Sequence, residues 1–330
     1  MLPPAIIDEP AAPSAPAGGW WSARKRLIGL VVMSVLAMAG VAAVEIIRPD
    51  GRPEPPPGSW TVMPHRGLGA WVDVYDWTEE FGGRSPSVDL ADIDAMAEAG
   101  VQTVYLQTSH QRSTADVIEP ERLNALIDAA HANDMHVVAW YLPTFVNLDR
   151  DLRRLIAAAE LAVDGLGVDI EAIDVADAGE RNERVIDLTA RLRIALGEDR
   201  ALAAITLSSV HVQVVNPDYW PEYPWAELAA TYDAILPMAY WSIRRDDLRA
   251  GLRYVSENID RIRASAGRDD LLIHPIGGIA DEATVADVEG MLAAIQDRGV
   301  IGGSLYDWNT STVEQWAALQ PLRDLRPASE

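Results

Sequence analysis

Asp169 and Glu171 stand two residues apart in the run Asp164-Gly165-Leu166-Gly167-Val168-Asp169-Ile170-Glu171. In a strand, side chains alternate, so Leu166, Val168 and Ile170 share one face while Gly167, Asp169 and Glu171 share the other. The apolar set belongs against covering helices, which turns both acids towards the interior of the sheet. Two carboxyls held together away from water repel each other, and the proton affinity of one of them rises. A carboxyl that keeps its proton near neutral pH can act as a general acid towards a glycosidic oxygen.

Other polar and aromatic residues fall near the ends of apolar runs. Asp73 lies in Trp71-Val72-Asp73-Val74-Tyr75-Asp76-Trp77, where alternation places it with Trp71 and Tyr75; Asp307, between Tyr306 and Trp308, is expected to point outwards. Each of these acids also suits a hydrogen-bonded cap or loop anchor. Gln107 ends its run either as a partner for a sugar hydroxyl or as a support for the backbone. Trp77, Trp140, Trp241 and Trp308 offer flat faces on which sugars stack, although core packing is the default for an indole. The segment from Ser208 to Trp225, with Tyr219, Trp220, Tyr223 and Trp225, is a candidate covering loop whose aromatics equally suit packing on one another. His65, His110, His131, His136, His211 and His274 show no ligand spacing, so no metal and no cofactor is expected.

Positioning these residues requires a sheet whose strands all end on one side. Eight apolar runs alternate with helical patterns: Leu68–Tyr75, Val101–Gln107, His136–Tyr141, Gly165–Glu171, Leu202–Leu207, Ala234–Ala239, Leu271–Ile276 and Ile301–Tyr306. The stretches Leu90–Glu98, Pro120–Ala132, Ala178–Leu196 and Ala283–Asp297 carry apolar residues at helical spacing, and Gly100, Asn133, Gly197 and Gly299 follow them as stops. Eight such units predict an α/β chain folded as a (β/α)8 TIM-type barrel, with its site at the C-terminal mouth of the strands. An open doubly wound sheet is the alternative, but no glycine-rich phosphate loop follows the first strand.

The strand-four run resembles that of the family 18 glycoside hydrolases, the chitinase-type barrels, whose fourth strand reads Asp-Gly-x-Asp-x-Asp-x-Glu. Asp164, Gly165, Asp169 and Glu171 match four of the five fixed positions. The resemblance implies that Glu171 protonates the leaving oxygen and that Asp169 helps the substrate's own acetamido group act as nucleophile, which would explain the lack of a separate protein nucleophile. It also implies that Tyr240, in Met238-Ala239-Tyr240, supports the acetamido group and that Trp308 stacks on a sugar. The departures are Gly167 at the middle Asp, Trp241 where Asp commonly follows the tyrosine, and a third strand without Ser-x-Gly-Gly. The run Ile235–Trp241 is also similar to the glycosidase-like barrel domains of bacterial surface proteins.

The formal net charge of −23 argues against nucleic acid as a partner. The absence of cysteine removes disulfides, thiolate metal sites and a cysteine nucleophile. Leu27–Val44 is uncharged and follows Arg24, Lys25 and Arg26, so residues 27–47 read as a single transmembrane helix with residues 1–26 as a cytoplasmic disordered tail. Cleavage after Ala39 is the competing reading, and both export the remainder. Residues 48–59 form a Pro-rich linker, and residues 60–330 the barrel. The sequence thus predicts a membrane-anchored extracytoplasmic glycoside hydrolase with a polysaccharide substrate, using Asp169 and Glu171 for catalysis and Tyr240, Trp308, Asp73, Gln107, Trp140 and Trp241 for binding. The alternatives are a non-catalytic glycan-binding barrel and an envelope scaffold protein.

Overall fold

The computed structural model describes residues 61–243 and 250–325, all within a compact unit that begins at Pro55. Tail, apolar segment and linker lie outside these residues; among the described residues no helix is long and apolar enough to cross a membrane.

Eight parallel strands close into a barrel in sequence order: β1 Gly67–Val72, β2 Thr103–Gln107, β3 His136–Tyr141, β4 Gly165–Ile170, β5 Ala201–Thr206, β6 Ala234–Ala239, β7 Ile276–Gly278 and β8 Gly302–Tyr306. A helix follows each strand: α1 Leu90–Glu98, α2 Pro120–Ala132, α3 Leu148–Ala159, α4 Ala178–Leu196, α5 Trp225–Thr231, α6 Gly251–Ala266, α7 Val285–Arg298 and α8 Val313–Leu319. Closure is fixed by β1, which pairs with β2 through Trp71 and Tyr105 and with β8 through Gly69 and Ser304.

Local chemistry sets where these elements begin. Asp89, Asn147, Asp177, Thr284 and Thr312 each accept a first-turn backbone N–H and so start α1, α3, α4, α7 and α8. Pro120 starts α2, where its missing N–H costs nothing. The outward set on β4, Leu166, Val168 and Ile170, is fully buried, as a layer between sheet and helices requires.

Two strands differ from the sequence pattern. β1 ends at Val72 because Asp73 caps a helical turn, Val74–Trp77, in a reciprocal box with Asp76. β7 is shifted towards its C-terminal end. The expected run Leu271–Ile276 does lie beside β6, bridging through Ile273, but Pro275 has no N–H to give and the regular ladder starts only at Ile276. Gly277 then lets the Trp241 ring and the Met291 sulfur approach to 2.5 Å from where a Cβ would stand.

Candidate active site

The C-terminal mouth of the barrel holds a cavity of about 320 Å³. Five of its polar residues, Asp73, Tyr306, Tyr240, Asp169 and Glu171, form an arc from β1 through β8 and β6 to β4. Ile276 and Ile205 separate them on β7 and β5, while Trp71, Gln107 and Trp140 contribute to the remaining lining.

Both strand-four acids lie where alternation places them. Asp169 is buried, and among the described residues its Oδ1 has no hydrogen-bond partner. Burial first, and then the charge of Glu171, push the proton affinity of Asp169 well above the usual carboxylate range. Burial raises that of Glu171 too, and the two titrate together. Among the described residues lining the cleft there is no arginine or lysine to offset them. Gly167, two residues earlier on the same face, has no side chain to offer a partner. A Cβ on Gly167 would sit 3.0 Å from Ile205 Cδ1 and 3.2 Å from Trp140 Cβ, so apolar atoms occupy the space next along that face.

Tyr240 and Tyr306 stand side by side, ring centroids 6.0 Å apart. Burial, followed by Glu171 and Asp169, holds the Tyr240 phenol well above its ordinary value, so it remains a hydroxyl donor. Tyr306 OH donates to Asp73 Oδ2 at 2.8 Å, and the Tyr75 amide donates to Asp73 Oδ1 at 2.7 Å.

Trp71 packs parallel to Tyr105, with centroids 4.2 Å apart, and meets Trp140 edge-on. Its Nε1–H donates to Ser304 Oγ at 2.8 Å. His274 Nδ1 lies 2.8 Å from the His65 carbonyl, which can only accept, so the proton sits on Nδ1 and Nε2 accepts from Ser304 Oγ at 3.0 Å. Burial lowers His274 to about 4 and, reinforced by His274 and His136, lowers His65 to about 3, so both rings are neutral.

Gln107 lines the cleft, and its Oε1 accepts from the Val74 amide at 3.0 Å, the backbone-supporting role. Trp77 is fully buried and anchors to the Gln107 carbonyl. Trp140 lines the cleft, but Trp241 and Trp308 do not. Trp241 is fully buried over Gly277, and Trp308 packs on Trp316 of α8 at 5.1 Å.

Asp307 does not point outwards. The strand ends at Tyr306, alternation stops there, and the Asp307 carboxylate turns in to accept from the Thr310 amide and hydroxyl. Asp73, Asp76 and Asp307 then bring carboxylate oxygens within 4.8 Å of one another, a grouping that a cation could join. Hydrogen bonds from Tyr306, Tyr75, Asn309 and Thr310 already supply positive dipoles to these oxygens. Burial, then Asp73 and Asp307, raise Asp76 to about 7.

The loop after β5 is committed to the barrel wall. Trp220, Tyr223 and Trp225 are buried against one another, and Tyr223 OH donates to the Ile170 carbonyl at 2.8 Å. Tyr223 thereby fixes the peptide between the two acids, a role no local motif signals. Tyr306 likewise answers to no motif, although alternation with Ser304 on β8 places it on the inward face.

No protein-family model matches the sequence, and no curated protein does. Solved structures match over most of the chain. The fold is that of the chitinase-type barrels. The spore cortex-lytic enzyme SleL of Bacillus cereus is 8% identical with a TM-score of 0.59, covering 79% of this chain and 74% of its own. A family GH18 chitinase of Cycas revoluta, solved with allosamidin, is 12% identical with a TM-score of 0.56, covering 78% and 98%. A chitinase of Chromobacterium violaceum is 12% identical with a TM-score of 0.53, covering 79% and 100%. At such identities the shared property is the fold.

Proposed function

We propose that this chain is a membrane-tethered, extracytoplasmic glycoside hydrolase of cell-wall or extracellular polysaccharide, with Glu171 as general acid/base and Asp169 as its coupled partner. The observation that carries this reading is the carboxyl pair of buried Asp169 and half-buried Glu171, raised in proton affinity and facing an open cleft with a tyrosine hydroxyl and two indoles. Structural neighbours that are chitinases and a cortex-lytic enzyme support a glycan as the ligand. A buried carboxyl pair with no cation is costly, and such pairs cluster at sites of proton transfer.

The test is hydrolysis of a panel of chitin, cellulose and peptidoglycan fragments by the full chain and by Glu171→Gln. Cleavage by the wild type alone supports the assignment. Binding of a fragment without cleavage would instead establish a second reading, a glycan-binding barrel, which the apolar filling beside Gly167 favours. The tether is tested by membrane fractionation of cells expressing the chain; recovery of the whole chain in the soluble fraction sinks it.

A further inference from the structure

Resting on the hydrolase reading, a second carboxylate in the cleft deepens it. We propose that Asp73, at the end of β1, is a catalytic base that takes a proton from the attacking water while Glu171 protonates the leaving oxygen. The glycosidic bond is then cut with inversion, and the substrate need not carry a 2-acetamido group.

Three observations converge on Asp73. It lines the same cavity as Glu171, and the two come from β1 and β4, three strands apart around a closed barrel, so they stand on different parts of the wall. A sugar seated between them would meet one carboxyl on each side. Secondly, the Asp73 carboxylate is fixed: Oδ1 accepts from the Tyr75 amide and Oδ2 from the Tyr306 hydroxyl. The capping box adds the Asp76 amide to these donors, and a carboxylate offers about four lone-pair sites, so one is left for a water. Thirdly, the neighbouring acids are otherwise engaged. Asp76 accepts from the Asp73 amide and from Asn309, Asp307 is tied to Thr310, and neither lines the cleft.

Gly167 gives this division of labour a reason. The mechanism implied by the strand-four resemblance relies on Asp169 to assist an acetamido group, and the carboxyl that would support it is missing at Gly167, where even a Cβ would press on Ile205 and Trp140. A water-activating base on another strand removes that requirement. In the step itself, an oxygen lone pair of water forms the new bond to the anomeric carbon and its proton passes to Asp73. The electron pair of the breaking carbon–oxygen bond goes to the leaving oxygen, which takes the proton of Glu171. Exchange with solvent returns Asp73 to carboxylate and Glu171 to acid. One water is consumed and two sugar hydroxyls are formed.

The experiment uses the full chain and Asp73→Asn on the fragment panel above, with the anomer of the first product read by proton NMR. Asparagine caps a helix as well as aspartate does, so the turn at Val74 should survive, which a thermal melt verifies. The expected results are an inverted first product and cleavage of a fragment without acetamido groups. Asp73→Asn should lower kcat by about a hundredfold or more with little change in KM, and azide, which needs no base, should restore turnover as a glycosyl azide. A retained anomer, or a kcat for Asp73→Asn within about threefold of the wild type, would overturn the role of Asp73 and leave Glu171 as acid untouched. If the wild type cuts nothing, the hydrolase reading falls and this proposal falls with it.

Discussion

The two ends of β4 treat the same functional group in opposite ways. At its start, Asp164 accepts from the Val137 amide at 2.8 Å and faces His131 and His136. Burial works to raise its pKa, but hydrogen bonds from His136, Val137 and His131 outweigh it and bring Asp164 down to about 2. Asp169 and Glu171, at the far end, have each other and a tyrosine, and both are raised. A short motif that looks uniform in sequence therefore divides into an acid that ties two strands together and a pair that holds a proton. Partners decide the difference, since all three carboxyls are at least partly buried.

Replacing acids at either end is the direct way to break this contrast. The largest effect is expected for Glu171→Gln, a loss of about a thousandfold in kcat with the melting temperature unchanged or raised, because a half-buried carboxyl whose ionised form burial disfavours is replaced by a neutral amide. Next comes Asp169→Asn, with a loss of about a hundredfold. Glu171 must be protonated to act, so activity should fall as pH rises through its raised pKa. Burial is what raises Glu171, and Asp169, raised further by the Glu171 charge, is the later of the two to ionise, so Asp169→Asn should leave the alkaline limb of the pH–kcat profile in place. A limb that moves to lower pH would refute this order of ionisation.

Smaller effects concern the sealed side of the barrel. His65 and His274 are neutral when folded, with pKa values of about 3 and 4, and become protonated when unfolded below about 6.5. The unfolded state then binds more protons, so stability should decline as pH falls from about 6.5 towards 4, by about 1 kcal/mol per pH unit for each ring. Urea melts at pH 7 and 5 measure this, and equal midpoints would exclude it. The smallest effect is that of Asp164→Asn, about 1 kcal/mol of stability with kcat retained. Asp164 is depressed, so its contribution is present above about pH 4 and lost as pH falls towards 2. The variant should show a flatter response across that window.

The fold was largely legible because its signals are local. β3, β6, α1, α2 and α4 have the bounds that apolar spacing and capping residues indicate. The exceptions have specific physical causes. Asp73 reads as a strand residue by alternation, but its box with Asp76 redirects the chain into a helical turn. Pro275 interrupts an apolar run without moving it away from the sheet. Asp169 and Glu171 were legible as inward-facing because they belong to or directly follow a regular strand. Trp241 and Trp308 were less so, because both lie beyond a strand end, where period-two alternation no longer specifies direction. Their positions depend on distant partners, Gly277 and Trp316, that spacing along the chain does not identify.

The hydrogen bonds that run from Trp71 through Ser304 and His274 to the His65 carbonyl have one further effect. Every donor in that series has a single acceptor, and the indole above it is clamped against Tyr105 and Trp140. An unrestrained tryptophan must give up rotamer freedom when a ligand stacks on it. This one has already lost that freedom on folding, so a ligand entering the cleft that it lines meets a wall whose ordering entropy was spent before it arrived. At the rim, Tyr75 is 46% exposed and reached by the Arg112 guanidinium, and there contact with a ligand still has side-chain motion to arrest.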